Sequence, residues 1–132
     1  MIPATHDFSV VRGTSGPTQG LKVRLKANTG TEEVPVLVNV SFEDVRLSIY
    51  QRSTLLFRGS VSSGHLIVTD VAEAEITWIP TPDETRLIPF TKDGATPKAR
   101  YELEVWNAGT QIVYLLGKIT GIGGINDDEE VS

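Results

Sequence analysis

Tyr101-Glu102-Leu103-Glu104-Val105-Trp106-Asn107-Ala108-Gly109 is the stretch on which the reading of this chain turns. Tyr101, Leu103 and Val105 alternate with Glu102, Glu104 and Trp106, a period of two that places one apolar and one charged face on a half-buried strand. Asn107-Ala108-Gly109 then supplies a short turn before a second strand over 111–119, which makes the segment a β-hairpin. The same alternation recurs outward from it. Leu21, Val23 and Leu25 alternate with Lys22, Arg24 and Lys26, and Val45, Leu47 and Ile49 with Arg46, Ser48 and Tyr50. In 72–78 Ala and Glu favour helix, but Ala74, Ile76 and Trp78 fall two apart with Glu73, Glu75 and Thr77 between them, so the segment is read as strand. Shorter strands are expected at 8–11, 54–58 and 66–68.

One place is read as helical. Thr81-Pro82-Asp83-Glu84 offers a Thr N-cap, Pro at the first helical position and Glu at the third, a capping box with acids at the helix N-terminus. Only one turn fits before Pro89. With seven or eight strands, a helical turn near 81–86 and no room for crossover helices, the expected fold is all-β: an antiparallel, immunoglobulin-like β-sandwich. Charge patterning adds a sharper expectation, that the strand bearing Lys22, Arg24 and Lys26 pairs antiparallel with the strand bearing Glu73 and Glu75.

The 132 residues fit one domain, large enough to bury roughly two-thirds of its unfolded surface in a single core. Cysteine is absent, which removes disulfides, thiolate zinc sites and thiol redox chemistry and leaves the compartment open. The formal charge is −5, but Asp127, Asp128, Glu129 and Glu130 crowd the C-terminal end, so the body is nearly neutral and lacks the cationic surface that nucleic-acid binding needs. No apolar run is long enough to span a bilayer, and the start MIPATHDFSV has no basic segment followed by an apolar one; the chain is read as a soluble protein without a signal peptide, and no membrane partner is expected. A sandwich over 1–120 is expected to be followed by a flexible, glycine-rich acidic tail over 121–132. The stretch 27–42, with Asn28-Thr29-Gly30-Thr31 and Pro35, reads as a long loop in which Val36, Leu37, Val38 and Val40 form a candidate edge strand.

The search for chemistry returns little. His6 and His65 have no metal-ligand spacing and read as solvated. Scattered Ser, His and Asp residues come without a Gly-x-Ser-x-Gly elbow. Gly117-Lys118-Ile119-Thr120 lacks the upstream glycines and following helix of a phosphate loop, and Gly121-Ile122-Gly123-Gly124 lacks a helix N-terminus for a pyrophosphate. The acidic run has no central glycine or alternating donors for calcium, and Asn39-Val40-Ser41 is a glycosylation pattern without a secretory signal. Glu102 and Glu104 are placed on an outward face rather than in a cleft. The expectation is therefore no enzyme, no catalytic residue, no metal and no cofactor. Trp106, on the charged phase of its strand, reads equally as an interface anchor or as packing under the neighbouring loop. With Gly121, Ile122, Gly123, Gly124 and Ile125 it makes up the candidate interface.

Several stretches resemble a family of small β-sandwich modules of tailed bacteriophages, found in baseplate and tail-fibre proteins and including the N-terminal domain of the baseplate upper protein. Phe8-Ser9-Val10-Val11-Arg12-Gly13-Thr14 is similar to the opening strand and turn. Ala74-Glu75-Ile76-Thr77-Trp78-Ile79 with Thr81-Pro82-Asp83-Glu84-Thr85 resembles the strand leading into a helical turn, and Ala99-Arg100-Tyr101-Glu102-Leu103-Glu104-Val105 with Leu116-Gly117-Lys118-Ile119-Thr120 resembles the final hairpin. Where family members carry an acid after the opening glycine, this chain has Thr14, Ser15 and Gly16, and the receptor-binding or fibre region that follows such modules is not in it. The resemblance implies a virion structural protein, made in the host cytoplasm: a tail, baseplate or tail-fibre adaptor present in several symmetric copies and bound to other virion proteins. Two alternatives stand beside it, a capsid decoration or head-tail joining protein, and a carbohydrate-binding domain centred on Trp106, Glu102 and Glu104.

Overall fold

The computed structural model describes residues 3–16, 19–92 and 94–123; Gly124, Ile125 and the rest of the expected tail lie outside the described residues. The chain is mostly β. In order it forms β1 (Ala4–Thr5), β2 (Phe8–Val11), β3 (Leu21–Arg24), β4 (Lys26–Asn28), β5 (Leu37–Asn39), β6 (Asp44–Gln51), β7 (Thr54–Ser60), β8 (Leu66–Asp70), β9 (Glu75–Trp78), α1 (Pro82–Arg86), β10 (Ala99–Asn107) and β11 (Thr110–Ile122). The strands make a six-stranded sheet, β1 and β2 beside β11 and then β10, β6 and β7, a three-stranded sheet β3-β9-β8, and a separate two-stranded hairpin β4-β5. Eleven strands exceed the expected seven or eight because three of them are only two or three residues long.

The alternation that suggested the strands also builds the core. Leu47 and Ile49 of β6, Tyr101 and Leu103 of β10, and Leu115 and Ile119 of β11 are buried from one sheet; Leu21, Leu66, Ile76 and Trp78 are buried from the other, all in one cluster. Trp78 sits at its centre, with the Phe57 ring 5.4 Å away and Phe8 edge-on at 6.5 Å. In chain order α1 joins β9 of one sheet to β10 of the other. Thr81 accepts from the Glu84 N–H at 3.2 Å while the Glu84 carboxylate accepts from the Thr81 N–H at 3.1 Å, so both halves of the capping box are present. Arg12, buried to 1 % exposure, donates to the carbonyls of Ile88 (2.8 Å) and Arg86 (3.0 Å), which gives the turn's C-terminal acceptors a cationic donor.

The β3-β9 pair forms as its charges suggested: antiparallel, with Arg24 opposite Glu75. Four expectations need correction. The sheets are not purely antiparallel, since β1 and β2 both run parallel to β11, Ala4 beside Leu115 and Val11 beside Ile122; the whole intervening chain serves as the long connection that parallel pairing requires. The strand expected over 72–78 begins only at Glu75, because Ala74 adopts a left-handed conformation (φ 51°) that closes a turn with its N–H on the Val71 carbonyl. The strand through Lys26 is split at Leu25, where the chain leaves β9 and joins β5. Finally, β11 continues through Gly121 and Ile122, two residues into the expected tail, because Gly121 pairs with Val10 and its carbonyl accepts from Thr91 N–H at 2.9 Å.

Candidate functional site

The expected loop over 27–42 is a built element. β4 and β5 pair antiparallel, Ala27 opposite Val38, and join no other sheet. At the tip, Asn28 Oδ1 accepts from the N–H of Gly30 (2.9 Å) and of Val36 (3.0 Å), and Thr31 Oγ1 accepts from Val34 N–H at 2.9 Å. These bonds hold the turn without any core beneath it. The side chains are not those of a solvated turn: Val34 is 69 % exposed, Val36 49 %, Leu37 66 % and Val38 40 %. Alternation puts Val36 and Val38 on one face of β5 and Leu37 on the other, so the arm is apolar on both faces.

An isolated two-stranded hairpin is marginal in water, so its root matters. Lys26 Nζ donates to Glu73 Oε2 at 2.9 Å and to Asn39 Oδ1, and Asn39 Nδ2 donates to the Ala72 carbonyl at 2.9 Å. From the other sheet, the Tyr114 hydroxyl accepts from Lys26 N–H and lies 2.9 Å from the Lys26 carbonyl. The Lys26 ammonium, first by hydrogen bond and then by charge, with Arg24 behind it, holds the Glu73 carboxyl below its ordinary range. Glu75 is lowered too, chiefly by the Thr69 hydroxyl and then by Arg24. The arm is thus fastened to the β8-β9 turn and to β11 at one end and projects from the other.

Of the expected interface residues that the structure describes, Trp106 lies apart from Gly121, Ile122 and Gly123. Trp106 and Gly121 sit at opposite ends of the β10-β11 hairpin, with Trp106 opposite Gln111 and Ala99 opposite Ile119. Trp106 is half-buried, with the Arg46 guanidinium 5.1 Å from its ring centroid. Arg46 also pairs with Glu104 at 3.4 Å, and Glu104, expected to be exposed, is only 5 % so, with the Arg46 guanidinium against its carboxylate. Gly121 has a packing role: a Cβ there would lie 2.4 Å from the Pro89 carbonyl oxygen. Ile122 is 44 % exposed at the end of β11, followed by the partly buried Gly123. His6 is exposed and stacks near Phe8, and His65 is exposed with Nδ1 2.8 Å from the Ser63 hydroxyl. Among the described residues, no three His, Asp or Glu side chains gather as a metal site would require, and no helix is long and apolar enough to cross a membrane.

The arm was half visible in the sequence: Val36, Leu37, Val38 and Val40 read as an edge strand and β5 forms there, but its pairing with β4 apart from both sheets was not readable. Its signal was present, since Val34, Val36, Leu37 and Val38 form an apolar run without the polar alternation of a half-buried strand. No protein-family model matches this chain, and no curated protein is significantly similar to it.

Proposed function

We propose that this chain is a non-catalytic structural protein of a tailed-bacteriophage particle, a tail or baseplate adaptor that binds neighbouring virion proteins. The observation that carries the reading is the β4-β5 arm: a hydrogen-bonded hairpin whose large apolar side chains face water on both sides. Apolar surface held in a fixed shape loses little conformational entropy on docking, which is what an assembly contact needs.

The finer architecture fits the same reading. Taken in chain order, β3, β9 and β8 occupy the places of strands B, E and D of an immunoglobulin-like sandwich, and β11, β10, β6 and β7 those of G, F, C and C′. The β4-β5 arm is then an insertion between B and C. The opening strand β2, the strand β9 before α1 and the final hairpin β10-β11 are the stretches whose sequence resembles phage baseplate and tail-fibre modules. Nothing comparable favours sugar binding, because the Trp106 ring is covered by Arg46 and Glu104 is buried beneath it.

Antibodies raised against the chain test the proposal on purified virions by electron microscopy. Labelling at the tail or baseplate is the expected result, and labelling on the head would move the protein to a capsid-decoration role. Absence from purified particles, with the protein left in the soluble lysate, would overturn the virion assignment.

A further inference from the structure

We infer that the β4-β5 arm of one copy of this chain adds to the open edge of β7 on a second copy, making a head-to-tail contact; the inference rests on the assembly reading above and names its partner. β7 ends the six-stranded sheet, so its outer row of backbone N–H and C=O groups has no strand partner among the described residues. Its Leu55 is 43 % exposed. On the arm, β5 likewise has no strand partner among the described residues on the side away from β4. Val36 and Val40 bond toward β4, through Thr29 N–H and the Leu25 carbonyl, and the intervening Leu37 therefore directs its backbone groups outward. Two open edges, each with an exposed leucine, are the two halves of a strand-addition contact.

Charge selects this pairing over contact between two arms. The arm's tip carries Glu32 and Glu33, both exposed. The β7 edge carries Arg52, exposed in the turn that precedes it, and Arg58, whose guanidinium among the described residues donates to the neutral hydroxyls of Ser48 (3.1 Å) and Tyr50 (2.9 Å). Two acidic tips repel when arms meet, whereas an acidic tip laid along β7 meets uncompensated cations. Because arm and edge are different surfaces of one molecule, the contact is heterologous: copies add in sequence and close into a ring if the rotation permits.

Sedimentation of the purified full chain over a concentration series up to about 100 μM reads the contact. Mass rising beyond a dimer is the expected result for wild type. Val36→Ser with Leu37→Ser should weaken association at least about tenfold, and so should Arg52→Glu. The deciding arm is a mixture. A Glu32→Arg, Glu33→Arg chain and an Arg52→Glu chain, each shown to be folded by its thermal transition, should each associate poorly alone. Mixed, they should co-assemble in alternation beyond a 1:1 pair, because the reversed arm meets the reversed edge and the acidic arm of one chain meets the Arg52 edge of the other. A strictly monomeric wild type, a closed dimer that Arg52→Glu leaves intact, or a mixture of folded variants that stays unpaired would each overturn the inference. If the chain is found in virions yet self-association fails these criteria, this inference falls and the structural assignment stands; self-association with no protein in virions gives the reverse.

Discussion

Replacing Gly117 with alanine tests how the N-terminal segment is held to the body. The backbone of His6 and Asp7 crosses directly over Gly117, and an added Cβ would lie 2.0 Å from the His6 carbonyl oxygen and 2.7 Å from its carbon. Both atoms are backbone, so no rotamer change relieves the clash; the crossing segment must lift by more than an ångström to reach ordinary contact. Three hydrogen bonds hold it there: His6 N–H to the Leu116 carbonyl at 2.9 Å, Lys118 N–H to Asp7 Oδ1 at 2.8 Å, and the Tyr101 hydroxyl to the His6 carbonyl. At roughly 1 kcal/mol each, with Tyr101 left as a buried unsatisfied hydroxyl, Gly117→Ala should cost about 3 kcal/mol. In a domain of this size that corresponds to a drop of about 10 °C in Tm. Urea denaturation gives the free energy, and amide exchange should show His6 losing its protection. A loss below about 0.5 kcal/mol, with His6 still protected, would refute the reasoning, since the crossing could not then be as close as described.

Thr81→Ala removes one half of the capping box and should cost about 1 kcal/mol by denaturant titration, while Thr81→Ser should cost much less. Arg46→Ala uncovers Trp106 and leaves Glu104 without its cation; the pair is partly exposed, so about 1–2 kcal/mol is expected, and Trp106 emission should shift to the red. The pH dependence of the arm's root follows from the lowered Glu73 carboxyl. A carboxyl whose folded pKa lies below its unfolded value stabilises the fold above that unfolded value, and the contribution is lost as pH falls through the folded value. Glu73→Gln should therefore loosen the arm at neutral pH, seen as faster amide exchange in β4 and β5. Wild type and variant should converge as pH falls below the folded value.

Local signals in the chain were readable wherever a residue's neighbours in sequence also determine its environment. Alternation in 101–106, the Asn107-Ala108-Gly109 turn and the Thr81 to Glu84 spacing all fall in this class, and the structure has a hairpin and a capped turn there. The β3-β9 pairing was readable because a cationic face and an acidic face of matching period imply each other. Other features depend on distant partners. Nothing near Ala4 announces that it will lie parallel to Leu115, and nothing near Leu25 shows that its N–H is taken by the Ala74 carbonyl as the chain changes sheets. Glu104 sits on the outward phase as its period demands, yet is buried with Arg46 of the neighbouring strand paired to it, a contact between two strands. The glycines at 117 and 121 carry no phosphate-loop pattern, and no local signal announces the backbone crossing from elsewhere that they accommodate.

Parallel pairing of the first strands with the last has a mechanical consequence. The chain runs in along β11 from Ala4 beside Leu115 and runs out at Ile122 beside Val11, so its entry and exit lie at opposite ends of one ladder, roughly 23 Å apart at about 3.3 Å per residue. Tension between the two ends would slide β2 along β11 instead of peeling it away. The ladder bonds would then share the load and break together, making this domain stiffest along the direction in which neighbours attached to its ends would pull.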